Sequence, residues 1–151
     1  PVGVQGDRLA NAVVTGGTEV GLEELQRMIK TLRPLSRLSL SVRFEPGSSR
    51  PDAQSRANIQ QLAQMLDAGT LQARKVVFAG FSDGDGGAVS NARIALRRAQ
   101  TVRNAVIAAL EAPIPDSIAV TAEGFGEAMP MACDDTEWGR KVNRRVEIWV
   151  Q

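Results

Sequence analysis

The 151 residues predict a two-layer α/β (α+β) sandwich built on a mixed four-stranded sheet. Three observations carry this. Leu38, Leu40, Val42 and Phe44 alternate with Ser39, Ser41 and Arg43, the period-two mark of a strand with one buried face. Val76–Phe81 is a short, nearly continuous apolar run, as expected of a strand buried on both faces. Helical periodicities separate the strand-like segments, giving the order β-α-β-α-β-α-β, and such an order builds a sheet covered by helices on at least one face.

Each element has its local reason. Pro46 and Gly47 end the first strand, and Ser49 or Arg50 followed by Pro51 reads as a helix start. A helix is expected over 52–68, where Ile59, Leu62, Ala63 and Leu66 fall on one stripe and Gly69 supplies a stop. After Val76–Phe81 comes the tight loop SDGDGG, then the longest helix, 89–110, ended by EAPIP. Ile118–Phe125 alternates as a third strand. The loop GEAMPMACDD leads to a short helix near Thr136–Val142, and Arg145–Val150 closes the chain with Val146, Ile148 and Val150 on one face. Residues 1–36 differ: a stretch rich in Gly and small residues precedes one helix, Leu22–Leu32, with Leu22, Leu25, Ile29 and Leu32 in line. They read as an N-terminal flank or linker, leaving 37–151 as the main domain. The absence of an initial Met suggests a processed or excised piece, and residues 1–36 read either as the end of a preceding domain or as a flank packed on the sandwich.

Composition excludes several functions. Lys+Arg number 18 and Asp+Glu 17, a net charge of +1, too little for nonspecific nucleic-acid binding. There is no histidine, which removes His-based triads, HExxH zinc sites and imidazole shuttles. The single cysteine, Cys133, permits no internal disulfide and reads as a bystander thiol. No apolar run reaches membrane-span length, and no signal peptide is visible. The Gly-rich loop lacks the Lys-Ser/Thr of a phosphate loop, and a calcium loop starting at Asp83 would put Ile94 where a Glu is needed. No metal or cofactor is therefore expected. Arg140, Lys141, Arg144 and Arg145, offset by Asp134, Asp135, Glu137 and Glu147, read as local ion pairing, and Trp149 as packing on a helix.

One region concentrates chemistry. At about 100° per residue, Ala95, Ala99, Val102, Val106 and Ala109 form the apolar stripe of the longest helix. Arg93, Arg97, Gln100 and Asn104 face water. Asn91, Ile94 and Arg98 share a third direction at the stripe's edge, so Arg98 should lie along packed surface with its guanidinium at a rim, suited to grip a carboxylate with two parallel hydrogen bonds. Asp83 sits in the loop at the end of the buried strand, where ligands bind in such sheets. Together they suit a zwitterion, the acid taking an ammonium and the guanidinium a carboxylate. Spacing alone favours the plainer arrangement, a structural salt bridge between the two, since charge pairs are usually structural.

These residues fall into a known pattern. AGFSDGDGG resembles G-H-T-D-x-x-G, with Gly80, Ser82, Asp83 and Gly86 in register. NARIALRRAQTV resembles N-x-x-L-S-x-x-R-A-x-x-V, with Asn91, Ile94, Arg98, Ala99 and Val102 in register. GFGEAMP resembles G-x-G-E-x-x-P, and WGRKVNRRVEIWV resembles G-R-x-x-N-R-R-V-E-I. Over about residues 38–150 the chain thus resembles the OmpA-like (OmpA/MotB C-terminal) peptidoglycan-binding domain. The resemblance implies noncatalytic binding of the diaminopimelate of the peptidoglycan stem peptide, through Asp83 and Arg98 with Ser82, Asn91 and Ile94. It also implies a Gram-negative cell envelope, in the periplasm near the outer membrane, with no cofactor. The wording RFEPGSS, AGFSDGDG and MACDDTEWGRKVNRRVE is most similar to a subgroup in which this domain follows a phosphate-type substrate-binding domain. Phe81 stands where the family has His, Ser82 where it has Thr, Ala95 where it has Ser, and Ser90 where an aromatic is common; Phe81 and Ser90 are expected to alter the rim. These departures motivate an alternative, an interaction domain that has lost wall binding. An enzyme ranks last, because Asp83, Asp85 and Glu127 show no arrangement for acid–base work.

Overall fold

A computed structural model describes residues 19–45, 48–71, 73–83, 87–128 and 137–151. Its elements run α1 (Glu19–Leu32), β1 (Ser36–Arg43), α2 (Ala53–Asp67), β2 (Lys75–Gly80), α3 (Ala88–Ala109), β3 (Ala119–Gly124), α4 (Glu137–Asn143) and β4 (Arg145–Val150). From β1 onward this is the expected β-α-β-α-β-α-β order. The sheet order is β1-β4-β2-β3: β2 and β3 are parallel, while β4 runs antiparallel to both β1 and β2. The sheet is therefore mixed. Residues 1–18, the 84–86 part of the glycine loop with Asp85, Pro46 and Gly47, and the 129–136 loop with Cys133, Asp134, Asp135 and Thr136 lie outside the described residues.

The start of α2 differs from the sequence expectation. Asp52 is the N-cap, its side chain accepting a hydrogen bond from the Ser55 amide at 2.8 Å. Pro51 lies before the helix and pairs with Phe44 in an isolated bridge. Gly69, at φ 69°, turns the chain out of α2 as expected.

Apolar side chains from both faces of the sheet form two cores. Val42, Val76, Phe78, Val146 and Ile148 meet Ile59, Leu62 and Ala63 of α2 and Ala99, Val102 and Val106 of α3. This is the two-layer sandwich. On the opposite face Val77, Ala79, Phe81 and Trp149 meet Leu25, Met28, Ile29 and Leu32 of α1. The flank helix thus packs on the sheet, which is why β2 reads as buried on both sides and why Trp149 has a helix to pack on. Glu147 is buried on this second face, accepting from Arg145 Nε at 2.8 Å and from Trp149 Nε1 at 3.1 Å. The Arg145 guanidinium lies 4.1 Å from the centre of the Phe81 ring. Ionic and hydrogen-bonding partners together are what let charged groups reside in such a layer.

Two glycines set where α3 lies. Gly80 and Gly124 are register partners at the end of the β2–β3 ladder. A Cβ on Gly80 would come within 2.0 Å of the Ala95 carbonyl oxygen, and one on Gly124 within 2.5 Å of the Leu96 nitrogen. Only bare backbone there lets α3 settle onto the strand ends.

Candidate functional site

The site forms where β2 and β3 end and β4 begins. The chain leaving β2 is fixed by backbone bonds to two neighbours: the Phe81 amide donates to the Arg145 carbonyl at 2.8 Å, and the Ser82 amide to the Gly126 carbonyl at 2.7 Å. The Phe44 amide donates to the Arg144 carbonyl at 3.3 Å, bringing the end of β1 alongside. Ser82 and Asp83 therefore sit on a rigid sheet edge, with α3 above them.

Asp83 is mostly buried and salt-bridged to Arg144, Oδ2 to Nη1 at 2.8 Å. The direct Asp83–Arg98 bridge, one of two readings of the sequence, is not the arrangement found. Arg98 is 2% exposed, deeper than the rim position the helical wheel suggested. Its Nε donates to the Ser48 carbonyl at 3.0 Å, and its guanidinium carbon lies 5.4 Å from the centre of the Phe44 ring. Among the described residues neither Nη nitrogen of Arg98 is engaged in a hydrogen bond or ion pair. The side chain is thus oriented through its inner nitrogen while its outer fork stays available.

Electrostatics set Arg98 apart. Burial pushes its pKa well below the usual guanidinium range, to about 10; the nearby positive charge of Arg144 pushes the same way and Asp83 opposes. The Arg98 guanidinium is thus held buried as a cation, and a carboxylate arriving at its fork would answer that charge.

The remaining predicted residues line the same region. Ser82 is buried, and its hydroxyl has no hydrogen-bond partner among the described residues. An orphan buried hydroxyl costs stability unless something answers it. Asn91 is buried in α3 and reaches Glu127 at 3.5 Å, while Ile94 is half-buried between Asn91 and Arg98. Phe81, expected to alter the rim, instead turns into the α1-facing core against Phe125, ring centroids 5.9 Å apart.

Arg144 is the member that sequence reasoning missed. It stands in a run of four basic residues, read as local ion pairing. That reading holds for Arg145 with Glu147, whereas Lys141 pairs far along the chain, its Nζ 3.6 Å from Glu45 and 3.5 Å from Asp52. Arg144 forms its pair inside the site. Its position directly before the last strand was the available signal, since that strand runs antiparallel beside β2.

Residues 43–144 match the OmpA family. The chain belongs to the OmpA family. The OmpA-family motifs of this sequence converge on the site: AGFSD ends β2, N-x-x-I-x-x-x-R faces it from α3, GFGE forms the β3 corner, and the paired arginines of NRRVEI divide between the two faces of the sheet. The chain is 34% identical over 115 residues to outer membrane porin F of Pseudomonas fluorescens, covering 76% of this chain and 33% of that protein. It thus spans about a third of the length of the curated relatives it matches. Among solved structures, the peptidoglycan-associated lipoprotein from Burkholderia pseudomallei aligns with a TM-score of 0.61 and 26% identity, over 75% of this chain and 91% of that one. The C-terminal domain of Helicobacter pylori MotB aligns with a TM-score of 0.58 and 24% identity, over 74% of this chain and 84% of that one, and shows the shared fold.

Proposed function

We propose that this OmpA-family chain is a noncatalytic module that binds peptidoglycan through the diaminopimelate of the stem peptide, anchoring a larger envelope protein to the wall. The observation that carries this reading is Arg98: buried, oriented through Nε, with an uncommitted fork beside Asp83. Free diaminopimelate side-chain ends carry an ammonium and a carboxylate. The carboxylate takes two hydrogen bonds from the Arg98 fork and answers its buried charge. The ammonium meets Asp83, which Arg144 holds in place, and the Ser82 hydroxyl gains a partner. Asn91 and Ile94 frame the pocket from α3. Support from relatives comes from the Burkholderia protein, a peptidoglycan-associated lipoprotein.

The same reading places the chain in the periplasmic cell envelope of a Gram-negative bacterium, as the names of its relatives suggest. It assigns 37–151 to the binding domain and 1–36 to a flank whose helix docks on it. The motif wording supports an upstream phosphate-type substrate-binding domain.

Calorimetric titration tests the proposal. A diaminopimelate-containing stem peptide should bind saturably, and a lysine-containing peptide, lacking one carboxylate, should bind at least tenfold more weakly. Equal affinity for the two, or no binding of either, refutes it.

A further inference from the structure

We propose that Arg27, on the flank helix α1, is a positioning residue for the wall site, an inference that rests on the function proposed above. Arg27 lies on the far side of the sheet from α3, yet it grips the corner where β3 ends. Its Nη2 donates to the Gly124 carbonyl and its Nη1 to Glu123 Oε2 at 3.1 Å. Its guanidinium carbon stands 4.6 Å from the centre of the Phe125 ring. Glu24, one turn earlier, steadies the same fork at 3.0 Å.

The corner it grips is the brace for two ligand residues. Gly124 is pressed against Leu96 of α3, and the Phe125 amide donates to the Gly80 carbonyl at 2.9 Å. Gly126 then turns at φ 56°, which suits glycine, and its carbonyl receives the Ser82 amide at 2.7 Å. Glu127 receives the Asn91 side chain at 3.5 Å. Arg27 is thus two residues from the carbonyl that positions Ser82 and three from the carboxylate that meets Asn91. Among the described residues, its hydrogen bonds, ion pairs and ring contact involve Glu24, Glu123, Gly124 and Phe125, and none reaches Asp83, Arg98 or Arg144. Its influence on the site therefore runs through Ser82 and Asn91, and a planar fork that bonds a carbonyl, a carboxylate and a ring face together is not reproduced by lysine.

The side chain of Arg27 is 41% exposed, so Arg27→Ala leaves the core intact. The test titrates the full 151-residue chain with the diaminopimelate peptide as wild type, Arg27→Ala, Arg27→Lys, Ser82→Ala and the Arg27→Ala/Ser82→Ala double variant, and follows amide exchange at Ser82 and Ile148 without ligand. Arg27→Ala should weaken binding about fivefold, the worth of about one net hydrogen bond, with Arg27→Lys recovering only part of it. On the Ser82→Ala background the same change should cost less, because only the Asn91 route to a ligand contact remains. Exchange at Ser82 should rise in Arg27→Ala by more than at Ile148. Wild-type binding with equal Arg27→Ala affinity overturns the inference. If wild type fails to bind, the wall reading falls, and exchange decides the coupling alone: a rise at Ser82 no larger than at Ile148 overturns it.

Discussion

Replacing Arg98 by methionine should abolish wall binding and make the ligand-free fold more stable. The guanidinium is charged at pH 7 in folded and unfolded chains alike. A fall in its pKa from the ordinary guanidinium range to about 10 means that folding works against that charge by about 3 kcal/mol, at about 1.4 kcal/mol per pH unit. Methionine keeps an unbranched stem against the packed surface and removes the charge. It also forfeits the bond to the Ser48 carbonyl, about 1 kcal/mol net, and the contact with the Phe44 ring, about 0.5–1 kcal/mol. The balance is a gain of about 1–2 kcal/mol. Urea unfolding measures it through Trp149, which is buried on the sheet and reports its exposure. The sign with pH follows. A depressed pKa in the folded state means the penalty is complete at neutral pH and fades as pH rises through about 10 toward the ordinary guanidinium range, so wild type should close the gap with Arg98→Met over that window. A variant less stable than wild type by more than about 1 kcal/mol at pH 7 would refute the view that this charge is held at a cost for the sake of a ligand.

Three further outcomes follow from the geometry. Asp83→Asn leaves Arg98 and Arg144 facing each other without their carboxylate; wall pelleting should be lost and stability should fall by about 3 kcal/mol, read by urea unfolding. Gly124→Ala forces a Cβ to 2.5 Å from the Leu96 backbone and should cost about 1–3 kcal/mol, with the melting temperature falling accordingly. Asp52→Ala removes the cap of α2 and should cost about 1 kcal/mol at pH 7. Burial alone would raise the pKa of Asp52, but hydrogen bonds from Ser55 and the charge of Lys141 hold it below the ordinary 3.8. Its stabilisation is therefore present above 3.8 and lost as pH falls through the folded value, so Asp52→Ala and wild type should converge in acid.

Local periodicity made much of this molecule readable. Arg145–Val150 has the expected bounds, and the strands and helices around β2 and β3 fall within a residue or two of expectation. The polar and apolar faces of α3 were equally legible, because a helix reports its own burial through spacing. What spacing could not give was depth and partnership across the chain. Arg98 sits on the edge of its stripe in any wheel; only the Ser48 carbonyl and the Phe44 ring, on another part of the chain, draw it inward. Arg144 looked like one charge in a run because its partner Asp83 lies 61 positions away. Phe81 looked like a rim residue because its family position suggested it, yet period two puts it beside Val77 and Ala79 on the face that α1 covers. The Asp52 cap was hidden by a neighbouring proline that fits a helix start equally well.

The insertion of β4 between β1 and β2 also governs how the molecule comes into being. Ser36 pairs with Val150, so β1 has no neighbour in the sheet until the last strand has left the ribosome. Until then β2 and β3 form a parallel pair with one open flank, and Arg144 has not arrived to hold Asp83. Such long-range pairing slows folding and prolongs exposure of strand edges. Without β4, β1 and β2 share no ladder and Asp83 has no bridge to Arg144, so closure of the sheet and assembly of the site coincide.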